Sequence, residues 1–87
     1  MLTMYSTTWC GYCRRLRAQL DREQIAYEVV DIERDARAAD YVMSTNGGNQ
    51  TVPTVRFPDG SALTNPSLHE VRARLAELAA AQDPTPR

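Results

Sequence analysis

The chain has 87 residues, 43% hydrophobic and 24% charged, with a net charge of −1. A domain this small buries only about 60–65% of its unfolded surface, so one compact core is all the length allows. The near-neutral balance does not point to nucleic acid or an anionic membrane surface, and no apolar run approaches the roughly 18–20 residues of a membrane span.

Leu2-Thr3-Met4-Tyr5 has the make-up of a short, mostly buried strand. Polar Ser6-Thr7-Thr8 lead into Trp9-Cys10-Gly11-Tyr12-Cys13, which holds both cysteines of the chain. From Gly11 to about Glu23 the spacing is helical, with Cys13, Leu16 and Leu20 on one face and Arg14, Arg15, Asp21 and Arg22 largely off it. The thiols therefore fall where a strand hands over to a helix, a junction with unpaired backbone N–H groups and the positive end of the helix dipole. Cysteines at such starts have pKa values lowered from about 8.5 into a range of about 3.5–7.5. Cys10 takes that position, and its sulfur is expected to be ionised and open to solvent. Cys13 lies one turn later on the same face, close enough to close a small disulfide.

A bridge around two intervening residues removes little entropy from the unfolded chain, so the pair is a poor structural staple. With no basic start and long apolar stretch to mark a secretory signal, the expected compartment is the reducing cytoplasm, where such a pair beside a βαβ pattern reads as a redox motif. Zinc would need four ligands, and the one histidine, His69, falls far away in the last helix, so no metal site is expected.

Ile25 to Ile32 is rich in β-branched residues and predicts a second strand, parallel to the first because a helix connects them. Asp35 to about Ser44 predicts a second helix, with Ala36, Ala39, Val42 and Met43 facing inward, broken by Asn46-Gly47-Gly48-Asn49. Thr51 to Phe57 reads as a third strand with Pro53 confined to its beginning or edge. Asp59-Gly60 marks a hairpin turn into a fourth short strand, Ala62-Leu63-Thr64. The last helix opens either with Asn65 as cap ahead of Pro66 or with Ser67 and Glu70 as a capping box. Its apolar stripe is Leu68, Val71, Leu75 and Leu78. One domain over 1–81 is expected, with a frayed tail over 82–87 that holds two prolines. The order βαβαββα gives an α/β fold with a four-stranded mixed sheet and three helices on its faces.

With Cys-Gly-Tyr-Cys after the first strand, Thr-Val-Pro ahead of the third and Asp-Gly-Ser between the third and fourth, the chain resembles the glutaredoxins over nearly its whole length. Within that family it is most similar to the mycoredoxins, on Trp9 to Cys13, Asn46 to Asn49, Thr51 to Val55 and Leu63 to Ser67. The resemblance implies the thioredoxin fold, a cis Val52–Pro53 bond and Cys10 as nucleophile. It further implies mycothiol as reducing co-substrate, with no tightly bound cofactor. The partners implied are mycothiolated proteins, with the mycothiol disulfide reductase system acting indirectly on a monomer. Glutathione-using members carry proline in place of Gly11 and an acidic residue at Asn65, where it holds the ammonium of the γ-glutamyl end. An uncharged amide there suits a hydroxyl-bearing thiol.

Candidate binding residues around the cysteines are Trp9, Tyr12, Arg14, Thr51, Val52, Pro53, Thr64 and Asn65. Each has a plainer reading beside it. Cys13 is either a resolving thiol or a core-facing helix residue. Trp9 is either a groove wall or a packing residue beneath the motif. Tyr12 either packs on the bound small thiol or shields the disulfide. Arg14 and Arg15 either add positive potential near Cys10 or are solvated helix residues, and Asn65 is either a ligand group or a cap. The activity expected is thiol–disulfide exchange on mixed disulfides. Its alternatives are a small electron donor reduced by thioredoxin reductase and serving ribonucleotide reductase, as NrdH-redoxins do, and a carrier of a [2Fe–2S] cluster bridged between subunits.

Overall fold

The computed structural model describes residues 1–81, so the expected tail at 82–87 lies outside the described residues. Its elements are strand β1 (Leu2–Ser6), helix α1 (Gly11–Arg22), strand β2 (Tyr27–Asp31), helix α2 (Ala36–Thr45), strands β3 (Thr54–Arg56) and β4 (Ala62–Thr64), and helix α3 (Leu68–Ala81). The sheet order is β2-β1-β3-β4. Strand β1 runs parallel to β2 and antiparallel to β3, and β3 pairs antiparallel with β4. This is the expected mixed sheet, with β1 at its centre delivering the chain to the cysteines.

Side chains alternate across β1 and so divide the core in two. Leu2 and Met4 point to the face covered by α1 and α3, where they meet Leu16, Leu20, Val55, Phe57 and Val71. Tyr5 points the other way and meets Ile32, Ala38, Ala39 and Val42 beneath α2. Met4 and Val55 are register partners and both are fully buried, which fixes the central pair of strands. The expected stripe of α3 is in place, with Val71 buried and Leu68, Leu75 and Leu78 half-buried against the same core.

Several local expectations are corrected. Strand β2 is shorter than Ile25–Ile32, because the Ile25 N–H donates to the Leu20 carbonyl at 3.0 Å, closing the turn out of α1. Strand β3 starts at Thr54: Pro53, with no N–H to give, stands before it, and the Thr54 hydroxyl donates to the Thr51 carbonyl at 2.8 Å. In α2 the inward positions are Ala38, Ala39 and Val42, while Ala36 is exposed. Asp35 explains the shift: its carboxylate caps the Arg37 and Ala38 N–H groups, which sets Ala36 at the outer start of the helix. Helix α3 opens on the capping box. The Ser67 hydroxyl accepts from the Glu70 N–H at 3.1 Å and the Glu70 carboxylate from the Ser67 N–H at 2.9 Å. Asn65 lies outside the helix with φ +48, its N–H spent on the Pro53 carbonyl at 2.7 Å.

Asn46 does more than break α2. Its amide donates to the Val42 carbonyl at 2.9 Å and to the Thr54 hydroxyl at 3.2 Å, and its oxygen accepts from the Thr64 hydroxyl. One side chain thus ties the end of α2 to β3 and β4. Asn46→Ala strips these partners from half-buried groups and is expected to cost about 1–3 kcal/mol. Chemical denaturation measures it, and a loss below about 0.5 kcal/mol contradicts the role.

Candidate active site

Cys10 is the N-cap of α1, with extended backbone angles of φ −80 and ψ 112. The chain leaves β1 through Ser6-Thr7-Thr8, and the Cys10 N–H closes that loop onto the Thr7 carbonyl at 3.5 Å. One turn later the Cys13 N–H donates to Cys10 Sγ at 3.1 Å. An N-cap side chain normally offers oxygen to such an N–H; here sulfur takes the place, facing the positive end of the helix. From the other side the Val52 carbonyl accepts a long hydrogen bond from the Cys10 thiol at 3.9 Å. The Val52–Pro53 peptide is cis.

The two cysteines are free thiols in unlike surroundings. Cys13 is 1% exposed and packs with Leu16, Met4 and Val55. Burial pushes its thiol up to about 11, and its hydrogen bond with Cys10 adds to the rise. The Ser6 side chain and the Thr7 backbone pull the other way by hydrogen bonding the sulfur. Cys13 therefore stays a neutral thiol around pH 7. The expectation of an open Cys10 sulfur is corrected: the residue is 5% exposed. The first turn of α1 covers it on one side and Val52–Pro53 on the other. Its neighbours in the chain, Trp9 (68% exposed), Gly11 and Tyr12 (64% exposed), are all at the surface.

Of the sequence-derived candidates, Val52 and Pro53 stand with Cys10, and Asn65 is joined to them through the Pro53 carbonyl. Trp9 does not pack beneath the motif; its indole N–H donates to Glu33 Oε2 at 3.3 Å on the surface. Tyr12 is exposed beside Cys10, and the Arg15 guanidinium lies 6.0 Å from its ring centre. Arg14 is exposed on the first turn and contributes its N–H to the Cys10 carbonyl at 3.2 Å. Thr51 is exposed with its carbonyl held by Thr54, and Thr64 is turned toward Asn46. His69 is exposed on α3. Two contributors were missed, Glu33 and Asn46. Neither carries a local signal for these ties, because Glu33 meets Trp9 across 24 positions and Asn46 meets Thr54 and Thr64 across 8 and 18.

An N-capping thiol next to a buried neutral thiol, on a βαβαββα sheet, defines a thioredoxin-fold redox protein. Among solved structures, a glutaredoxin from Archaeoglobus fulgidus superposes with a TM-score of 0.70 at 24% identity, covering 85% of this chain and 84% of that one, which speaks for the fold. The glutaredoxin family model matches residues 2–61. A Mycobacterium tuberculosis protein carrying a provisional glutaredoxin name is 59% identical over 78 residues, 90% of this chain and 93% of that protein. Mycoredoxin 1 of Corynebacterium glutamicum is 45% identical over 78 residues, 90% of this chain and 96% of its own length. The chain belongs to the glutaredoxin family of thiol–disulfide oxidoreductases and is related to mycoredoxin.

Gly11 is the first residue of α1, and a Cβ built on it meets nothing within 4 Å. Cys10 before it already has the extended angles that a following proline demands. Gly11→Pro is therefore expected to stabilise the fold by about 0.4–1 kcal/mol through the unfolded chain, as proline at a helix start does. Equilibrium denaturation gives the sign, and a destabilisation contradicts the placement.

Proposed function

We propose that the protein reduces mixed disulfides between mycothiol and proteins or small thiols, with Cys10 as nucleophile. The observation that carries this reading is the Cys10 sulfur at the α1 N-cap, accepting the Cys13 N–H at 3.1 Å. A thiolate accepts such a bond more strongly than a thiol does, because a charged acceptor roughly doubles its strength. Relatedness to mycoredoxin supports mycothiol as the small thiol, as does the uncharged Asn65 beside Pro53.

The Cys10 thiolate attacks the mycothiol-side sulfur of the mixed disulfide. A sulfur–sulfur bond forms between Cys10 and mycothiol, the original bond breaks, and the protein thiolate leaves and takes up a proton. A second mycothiol thiolate then attacks the mycothiol sulfur of that intermediate, giving mycothiol disulfide and restoring Cys10. Mycothiol is the reductant, and its disulfide is recycled by its own reductase. Cys13, held neutral by burial, is spared in this route and competes only when its proton is removed. Trp9 and Tyr12 border the mouth toward partners, Arg14 adds positive potential, and Thr51, Val52 and Thr64 edge the small-thiol site. The protein works as a monomer in the cytoplasm.

Turnover of a mycothiol mixed disulfide, coupled to mycothiol and its reductase, tests the reading. Cys10→Ser is expected to abolish it, since a hydroxyl does not ionise in this range. Cys13→Ser is expected to retain turnover within about threefold while losing the intramolecular disulfide; a dead Cys13→Ser enzyme contradicts the one-thiol route. Full activity with thioredoxin reductase alone, and none with mycothiol, overturns the proposal in favour of a thioredoxin-like electron donor.

A further inference from the structure

Helix α1 carries four of the chain's ten basic residues, Arg14, Arg15, Arg17 and Arg22, and all four are exposed. Its one acid, Asp21, accepts the Tyr27 hydroxyl at 2.7 Å. We infer that this arginine face docks an acidic surface of a protein partner and so presents that partner's disulfide to Cys10. The partner is the protein half of the mixed disulfide, whichever small thiol it carries.

The charges of this face are not balanced within the fold. Among the described residues the ion pairs are Arg34–Asp31, Arg72–Glu23 and Arg74–Glu77, and none includes an α1 arginine. Arg17 lies beside the Tyr27 hydroxyl and Arg15 against the Tyr12 ring, contacts that leave both charges uncompensated. Arg14 sits in the first turn, where a positive charge opposes the helix dipole. Arg17 follows three residues later, a like-charge spacing that costs helix stability. An arrangement that works against its own helix, with no ion pair to offset it, marks a surface kept for contact outside the molecule. The acids gather elsewhere: Glu28, Asp31, Glu33, Asp35 and Asp40 lie along β2, the loop after it and α2. The chain is therefore basic beside Cys10 and acidic from β2 to α2, although its net charge is −1.

Extent and composition select an acidic protein as the occupant. From Arg14, one turn from Cys10, to Arg22 the face covers about 12 Å of helix, more than a small thiol spans. Exposed Trp9 and Tyr12 stand within two residues of Cys10 at the same end, and Trp, Tyr and Arg are the side chains that most often anchor protein interfaces. Lipid and nucleic acid fit less well. The apolar stripe of α1, Cys13, Leu16 and Leu20, is buried and leaves nothing to insert into a bilayer. The exposed acids of β2 and α2 repel a phosphate backbone that runs past α1. Charges placed like these raise the rate of encounter with a complementary surface, and salt weakens them.

The probes are two peptides of equal length, each joined through its cysteine to 2-mercaptoethanol, one flanked by Asp and Glu and the other by Lys. The Cys10 thiolate attacks the mercaptoethanol sulfur, the old sulfur–sulfur bond breaks, and the peptide thiolate leaves and takes up a proton. Released peptide thiol thus reads the rate without mycothiol. At low salt the wild type is expected to favour the acidic peptide by about fivefold or more, since one exposed charge pair is worth up to about fivefold. At 1 M salt, where charges are screened beyond about 3 Å, the preference is expected to vanish. Arg17→Gln is expected to cut the low-salt preference about two- to threefold, and Arg17→Glu combined with Arg22→Glu to invert it. All three proteins are expected to react with uncharged bis(2-hydroxyethyl) disulfide at equal rates. Equal rates with the two peptides, a preference that survives 1 M salt, or one that the arginine variants keep overturns the docking surface and leaves exchange at Cys10 standing. Retention of the wild type, and not of the double variant, on phosphatidylglycerol vesicles or duplex DNA without any peptide preference also overturns it and assigns the face to that surface. The salt dependence of the wild type decides the matter where a variant fails to fold.

Discussion

The hydrogen bond from the Cys13 N–H to Cys10 Sγ is the contact on which the chemistry of this fold depends. It makes one sulfur a helix cap and leaves the other as a side chain of the same helix, one turn inside. The two thiols are identical in the sequence and become unlike through position alone. Both lie in the buried cluster with Leu16 and Val55, but Cys10 Sγ faces the Cys13 N–H at the positive end of α1, whereas burial makes Cys13 keep its proton. The scaffold serves this difference. Met4 and Val55, packed as register partners, hold the centre of the sheet, so the chain leaving β1 reaches α1 at a fixed place.

Coverage of Cys10 adds a constraint that an activated thiol alone does not imply. With the residue 5% exposed, between the Cys13 N–H of α1 and the Val52 carbonyl, the approach of a reacting disulfide to this sulfur is restricted. Trp9, next to Cys10 in the chain, stays at the surface, its indole N–H bonded to Glu33.

Most of the architecture was legible in the sequence because it rests on local patterns. The helical spacing of Cys13, Leu16 and Leu20, the Asp59-Gly60 turn and the stripe from Leu68 to Leu78 each signal one element, and each is where the pattern places it. The misreadings concern contacts between distant residues or competing caps. Asp35 decides which alanines of α2 face inward, and two adjacent motifs competed to open α3 until Asn65 proved to be bonded to Pro53. Asn46 looked like a helix breaker because its ties to Thr54 and Thr64 depend on tertiary proximity. The burial of Cys10 was hidden for the same reason: Val52, 42 residues away, supplies one side of the cover.

The separation of the two thiols by one helical turn is open to direct measurement. The reduced protein at pH 7 is pulsed with iodoacetamide, and the modification at each cysteine is followed by peptide mass spectrometry. Cys10 is expected to be labelled faster than Cys13 by about tenfold or more, the order that an N-cap sulfur and a buried neutral thiol dictate. Equal labelling rates, or Cys13 reacting first, contradict the account.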